Sequence, residues 1–79
     1  MRQAIVTKYL GPTNARGSRV KATAQAGTIA VPWDDARDVI ENHEAAAKAL
    51  AARYRWSTER MHGGAMPDDA GFVWVFVDV

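Results

Sequence analysis

Phe72-Val-Trp-Val-Phe-Val77 is the stretch on which the reading of this chain turns. It is apolar at every position. Successive side chains of a strand point to opposite faces, so Phe72, Trp74 and Phe76 share one face and Val73, Val75 and Val77 the other. A half-buried edge strand would alternate polar with apolar residues, whereas this one wants cover on both sides. It reads as a central strand, with the rest of the chain supplying its neighbours and a covering helix. The larger apolar area of the aromatic set favours turning that set toward the helix and leaving the valines on the other face.

Upstream, Gln3 to Leu10 is rich in β-branched and aromatic residues and ends at Gly11-Pro12, a strand followed by a turn. Gly11-Pro-Thr-Asn-Ala-Arg-Gly17 has loop chemistry throughout. Ser18 to Ala24 alternates, with Val20, Ala22 and Ala24 on one face and Arg19, Lys21 and Thr23 on the other. Ala26-Gly27 turns the chain into Thr28-Ile-Ala-Val31, stopped by Pro32. These strands form a meander that places Arg19 and Lys21 on the open face of a sheet.

Asp34 or Asp35 is a suitable helix N-cap, and six alanines between Ala45 and Ala52 make a helix over Asn42–Tyr54 firm. Ala36, Ile40, His43, Ala47, Leu50 and Tyr54 recur at spacings of three and four as its apolar stripe. Val39-Ile-Glu-Asn42 is weaker helix material, which favours a separate turn before a helix capped anew at Asn42. Ser57 to Met61 reads as a fourth strand that His62-Gly63-Gly64 breaks or bulges, and Met66 to Gly71 turns into the last one. The expected fold is therefore α+β: β-β-β-α-β-β in a single domain over residues 1–79, an antiparallel sheet with one helix on one face. The other face is left to solvent, a partner or a dimer.

At 79 residues a single core stabilises by only about 3–5 kcal/mol. The chain has no cysteine, so neither a disulfide framework nor a cysteine-based zinc site supports the fold. The opening Met-Arg-Gln-Ala-Ile-Val-Thr-Lys lacks the apolar run of a signal peptide, and no stretch approaches a membrane span. The expectation is a soluble cytoplasmic protein. Its net charge of +1 hides a segregation: residues 1–33 carry five cations and no acid, and Asp34, Asp35, Asp38, Glu41 and Glu44 follow with only Arg37 among them. For the later block, complementing a helix dipole is explanation enough.

No catalytic motif survives inspection. The Gly11–Ser18 loop fails as a phosphate-binding loop, because its glycines are one residue too far apart, the lysine is missing and it leads into a strand. Thr13, Asn14, Arg16, Ser18 and Arg19 nevertheless supply donors to an anion or a carboxylate, in a loop longer than ordinary hairpins use. His43 falls on the helix stripe, and His62 before Gly-Gly lacks the nucleophile elbow that an esterase would need. Asp34, Asp35 and Asp38 are better explained as dipole partners than as metal ligands. No enzyme activity, cofactor or metal is expected.

Thr7-Lys-Tyr-Leu-Gly-Pro-Thr-Asn-Ala-Arg-Gly-Ser-Arg-Val-Lys-Ala22 resembles a segment of short uncharacterised proteins encoded on bacterial phages and plasmids. Glu41-Asn-His-Glu-Ala-Ala-Ala-Lys-Ala-Leu-Ala51 and Gly71-Phe-Val-Trp-Val-Phe76 are similar to them in layout. The resemblance implies a bacterial host and a small accessory protein that binds host machinery stoichiometrically, as anti-CRISPR and other counter-defence inhibitors do. The leading expectation is thus a non-enzymatic protein that docks on a host protein or ribonucleoprotein through Thr13, Asn14, Arg16, Arg19 and Lys21, its arginines pairing with carboxylates or phosphates. The alternative is direct nucleic-acid binding through Lys8, Arg16, Arg19, Lys21 and an exposed Trp74. A third reading is a homodimer joined through the open sheet face.

Overall fold

The computed structural model describes residues 4–12, 17–57, 61–67 and 71–76. Its elements are β1 (Ile5–Leu10), β2 (Arg19–Ala24), β3 (Gly27–Pro32), α1 (Val39–Arg53), β4 (Met61–Ala65) and β5 (Phe72–Phe76). The strands form one antiparallel sheet of five in the order β3-β2-β1-β5-β4. The β-β-β-α-β-β fold is as the sequence predicts, and β5 is interior, paired with β1 on one edge and β4 on the other.

Register fixes which side chains share a face. Ile5 lies opposite Trp74, Thr7 opposite both Ala22 and Phe72, and Val20 opposite Val31. These residues face α1, which packs on β1, β2 and β3. The core consists of Ile5, Val20, Ala22 and Trp74 from the sheet and Ala46, Ala47, Leu50 and Ala51 from the helix. Alanine at three of the four helix positions lets the helix backbone approach the sheet closely. Trp74 is only 4% exposed while Val75, on the other face, is 44% exposed. The aromatic face is the inward one.

The helix begins neither at Asn42 nor under a cap from Asp34 or Asp35. Asp38 is the N-cap: its side chain accepts from the Glu41 backbone N–H at 2.7 Å, and the Glu41 carboxylate accepts from the Asp38 N–H at 3.1 Å. This reciprocal capping box satisfies two donors that the first turn leaves free. Asn42 is instead a buried tie. Its amide nitrogen donates to the carbonyls of Asp34, Arg37 and Asp38, and its oxygen accepts from the Asp34 N–H at 2.8 Å.

The apolar stripe holds at His43, Ala47, Leu50 and Tyr54, but Ala36 is exposed and Ile40 is 58% exposed. Val39 and Ile40 precede His43, Ala46 and Ala47 by three, four and seven positions, so they continue the sheet-facing side of the helix. At 53% exposed, Val39 shares the fate of Ile40: the first turn overhangs the sheet.

At the other end of the helix Trp56 N–H donates to the Ala51 carbonyl at 2.8 Å and Arg55 N–H to that of Ala52 at 3.1 Å. This is the Schellman pattern, with Arg55 at φ 59° in the left-handed position that glycine usually fills.

The fourth strand also differs from expectation. Met61–Ala65 runs through His62-Gly63-Gly64 without a break, with Gly63 directly opposite Trp74. A Cβ on Gly63 would collide with the indole ring of Trp74, so the glycine makes room for the largest core residue. Of the stretch expected to form this strand, residues 58–60 lie outside the described residues, as does Val77 of the last strand.

Candidate functional site

The uncovered face of the sheet is the candidate site. Its side chains come from the alternate positions of each strand. In register across it, Lys8 lies opposite Lys21, which in turn lies opposite Ala30. The adjoining row is Leu10, Arg19 and Pro32. On the other side of the lysines come Val73, Val6, Thr23 and Thr28, and Val75 pairs with His62 nearer the far edge. Val6 is 39% exposed, so with Val75 the aliphatic part of this surface is open to contact.

The electrostatics of this face are one-sided. Lys8, Lys21 and Arg19 gather at one end of it, and none makes an ion pair among the described residues. Arg19 Nε is buried and has no hydrogen-bond partner among the described residues. Two lysines directly opposite each other on neighbouring strands repel, and a carboxylate between them would relieve that. The described acids, Asp34, Asp35, Asp38, Glu41 and Glu44, all belong to the helix and the loop leading into it. An anionic group is therefore what this end of the sheet can accept, through charge-assisted hydrogen bonds from two ammonium groups and a guanidinium.

Of the residues singled out in the sequence, Lys8, Arg19 and Lys21 are brought together here. Thr13, Asn14 and Arg16 lie outside the described residues. Leu10 and Arg19 flank that loop, so it opens from the cationic end of the face. Ser18 is occupied elsewhere: its hydroxyl and that of Tyr9 are 2.9 Å apart, and its carbonyl accepts from the Trp33 N–H. Trp74 is removed from the nucleic-acid contact set, because its ring is buried on the opposite face. The phenylalanines of β5 share that side, and no aromatic side chain of β5 is left to stack a base on the uncovered face.

Sequence reasoning missed a buried polar network on the helix side. Thr7 Oγ1 accepts from Trp74 Nε1–H at 2.9 Å and lies 2.8 Å from His43 Nδ1. Phe72 packs on the imidazole with ring centroids 4.6 Å apart. Burial pushes the pKa of His43 below its ordinary 6.5, opposed by the hydrogen bond to Thr7. A hydroxyl at this distance from an imidazole has the spacing of an activated nucleophile. Both residues are fully enclosed, however, and the Thr7 oxygen is already taken by the indole. The network holds α1 to β1 and β5. The only signal for it in the sequence was a histidine on the helix stripe and a threonine in an otherwise apolar strand position.

A concavity of about 560 Å³ lies where the Trp33–Arg37 loop meets the helix, with Val31, Trp33, Ala36 and Ala45 among its walls. Arg37 at its rim is paired with Asp34 at 3.4 Å, and the Asp34 carboxylate also accepts from the Ala36 N–H. Its acids thus have structural partners or lie exposed, and none is poised as a buried acid or base. No described helix is long and apolar enough to cross a membrane. Comparison with protein families, curated proteins and solved structures finds no match for this chain.

Proposed function

We propose that this is a non-enzymatic binding protein that docks on host protein or ribonucleoprotein machinery through its uncovered sheet face. The observation that carries the reading is the pairing of Lys8 with Lys21 beside Arg19, with no carboxylate paired to them among the described residues, on a face that is otherwise partly aliphatic. Such a surface matches a protein patch that combines acid with apolar side chains. Hydrogen-bonded ion pairs would fix the register, and Val6 and Val75 would supply the apolar contact. The resemblance to phage and plasmid proteins would make it an accessory factor of a mobile element, with CRISPR inhibition as the narrower form.

The test is co-purification of the tagged protein from a bacterial host, beside the double variant Lys8→Glu, Lys21→Glu. A partner retained at moderate salt by the parent and lost from the variant supports the reading. Equal recovery by both places the contact elsewhere and removes this face from the proposal.

Direct nucleic-acid binding is the second reading, favoured by the same three cations as phosphate contacts. With Trp74 inward it lacks a stacking platform on this face, so it would be a backbone interaction with steep salt dependence. Anisotropy of labelled DNA and RNA at two salt concentrations decides it. Absence of binding at low salt overturns it.

A further inference from the structure

The two edges of the sheet are guarded unequally. At the β3 edge the strand ends in Pro32, the helix packs on it, and the Tyr54 hydroxyl ties its first turn by donating to the Ala26 carbonyl at 2.9 Å. The β4 edge has none of these devices. Met61-His-Gly-Gly-Ala65 holds no charged residue and no proline, and it pairs with β5 at all five positions without a bulge. It is exposed from His62 to Ala65. An edge strand turns N–H and C=O groups outward at alternate residues, and sheets ordinarily block them with a charge, a proline, a bulge or a covering element. Left unblocked, this edge is a template for one more strand.

We propose that β4 pairs antiparallel with β4 of a second copy, about a two-fold axis through Gly63, joining the two sheets edge to edge. The strand is complementary to itself in this register. A two-fold through Gly63 is the one that pairs β4 over its whole length. It sets His62 opposite Gly64 of the second copy, Met61 opposite Ala65, and Gly63 opposite its own counterpart, so each larger side chain meets a small one and no charge meets its like. The pairing of β4 with β5 extends these rows. On the helix side Phe76, Met61, the second copy's Ala65 and its Phe72 follow one another across the seam. Met61, Phe72 and Phe76 are each half-buried in the single chain, and this strip gives them further apolar cover. In the middle row the indole of Trp74 fills the space over Gly63, so the seam is flat there in both copies. An unrelated extended peptide would find the same backbone groups without this reciprocal fit. The axis is perpendicular to the sheet, so both helices lie on one side and both uncovered faces on the other. The pairing goes beyond the docking surface proposed above and leaves it free. If that surface docks a partner, the partner meets two cationic ends, the Lys8 residues about 24 Å apart at ordinary strand spacing.

Sedimentation equilibrium of the full chain tests this, with two double variants. His62→Glu with Gly64→Glu sets like charges opposite each other twice across the seam, and His62→Lys with Gly64→Lys does the same with cations. His62 is exposed and a Cβ at Gly64 meets nothing within 4 Å, so neither variant disturbs the core. The parent is expected to rise from monomer to dimer and stop there, with a dissociation constant on the order of 100 μM for so small an interface. No ion pair crosses the seam, so that constant changes less than about twofold between about 0.05 and about 0.3 M salt. Each variant alone stays monomeric, and an equimolar mixture of the two dimerises at least as tightly as the parent. A parent that is monomeric at about 1 mM, one that grows past a dimer, variants that dimerise alone as the parent does, or a mixture that stays monomeric overturns the proposal. Amide exchange of the parent answers without any variant: β4 amides should slow as concentration passes the dissociation constant while β3 amides do not, and β4 amides indifferent to concentration overturn it. Both variants keep Lys8, Lys21 and Arg19, so capture of a host partner by them upholds the proposed function even where dimerisation fails.

Discussion

The two faces of this sheet treat polar groups in opposite ways. On the helix side Thr7, His43 and Asn42 are buried and hydrogen-bonded, Thr7 with His43 and Trp74, Asn42 with the backbone of Asp34, Arg37 and Asp38. On the other side Lys8 and Lys21 are directly opposed with no acid paired to them among the described residues, and the buried Arg19 Nε has no described hydrogen-bond partner. A buried group without a partner costs about 1–3 kcal/mol, whereas exposed like charges cost only tenths. The difference marks the helix side as the face that specifies the fold.

The largest effect is expected from Trp74→Ala. It removes the main core aromatic and leaves the Thr7 hydroxyl short of a donor, a loss of about 3–5 kcal/mol. That matches the whole stability of a domain this size, so circular dichroism should show an unfolded or barely folded chain at 25 °C. A cooperative melt near that of the parent would mean that the sheet does not depend on this residue. Next comes Asn42→Ala, which strips one donor group from three carbonyls and one acceptor from the Asp34 N–H. Urea denaturation should give a loss of about 2–3 kcal/mol.

His43 sharpens the comparison through pH. Its lowered pKa means that the unfolded chain binds more protons than the folded one just below the ordinary value of 6.5. The neutral imidazole's contribution is therefore complete above that value and is lost as pH falls toward the folded value. Thermal melts between about pH 7 and pH 5 should show the decline, and His43→Gln should flatten it although its baseline is lower. Parallel profiles for the two proteins would exclude His43 as the cause.

The smallest effect tests the uncovered face. Lys21→Glu sets opposite charges across from each other at Lys8 and should leave stability unchanged or raise it by about 0.2–1 kcal/mol. Any partner captured through this face, as proposed above, should nonetheless be lost. A destabilised variant would show that the cations serve the fold after all.

Much of this architecture was readable in the residues, and the failures have physical causes. The unbroken apolar run at Phe72–Phe76 and the alternation at Val20 and Ala22 gave strands with the correct inward faces. The helix starts earlier than propensity at Val39-Ile40 suggests, because Asp38-Val-Ile-Glu41 has the capping-box spacing and the cap outweighs two weaker helix formers. Ile40 was placed in the stripe because periodicity shows which way a residue faces, not how far the sheet extends beneath it. Gly63 looked like a breaker because its reason for being glycine is the indole of Trp74, contributed by another strand. The cationic cluster was half visible. Arg19 and Lys21 alternate in the sequence, but bringing Lys8 beside them required the register of β1 on β2.

The strand order carries a consequence for how the chain folds. Thr7 and Trp74 are 67 positions apart yet bonded, because β1 and β5 are neighbours in the sheet. Contacts of such separation are slow to form, since a long loop must close before they contribute. The β1–β2–β3 meander and the helix upon it involve shorter closures, so they are expected to assemble first, with the β4–β5 hairpin docking afterward as a unit. The helix packs on β1, β2 and β3, so this late pair relies on Trp74 and its neighbours for attachment. Native-state hydrogen exchange should accordingly find the amides of β4 opening at lower free energy than those of β2. The sheet would then be continuous in its hydrogen bonds and divided in its cooperativity, with the seam between its first strand and its last.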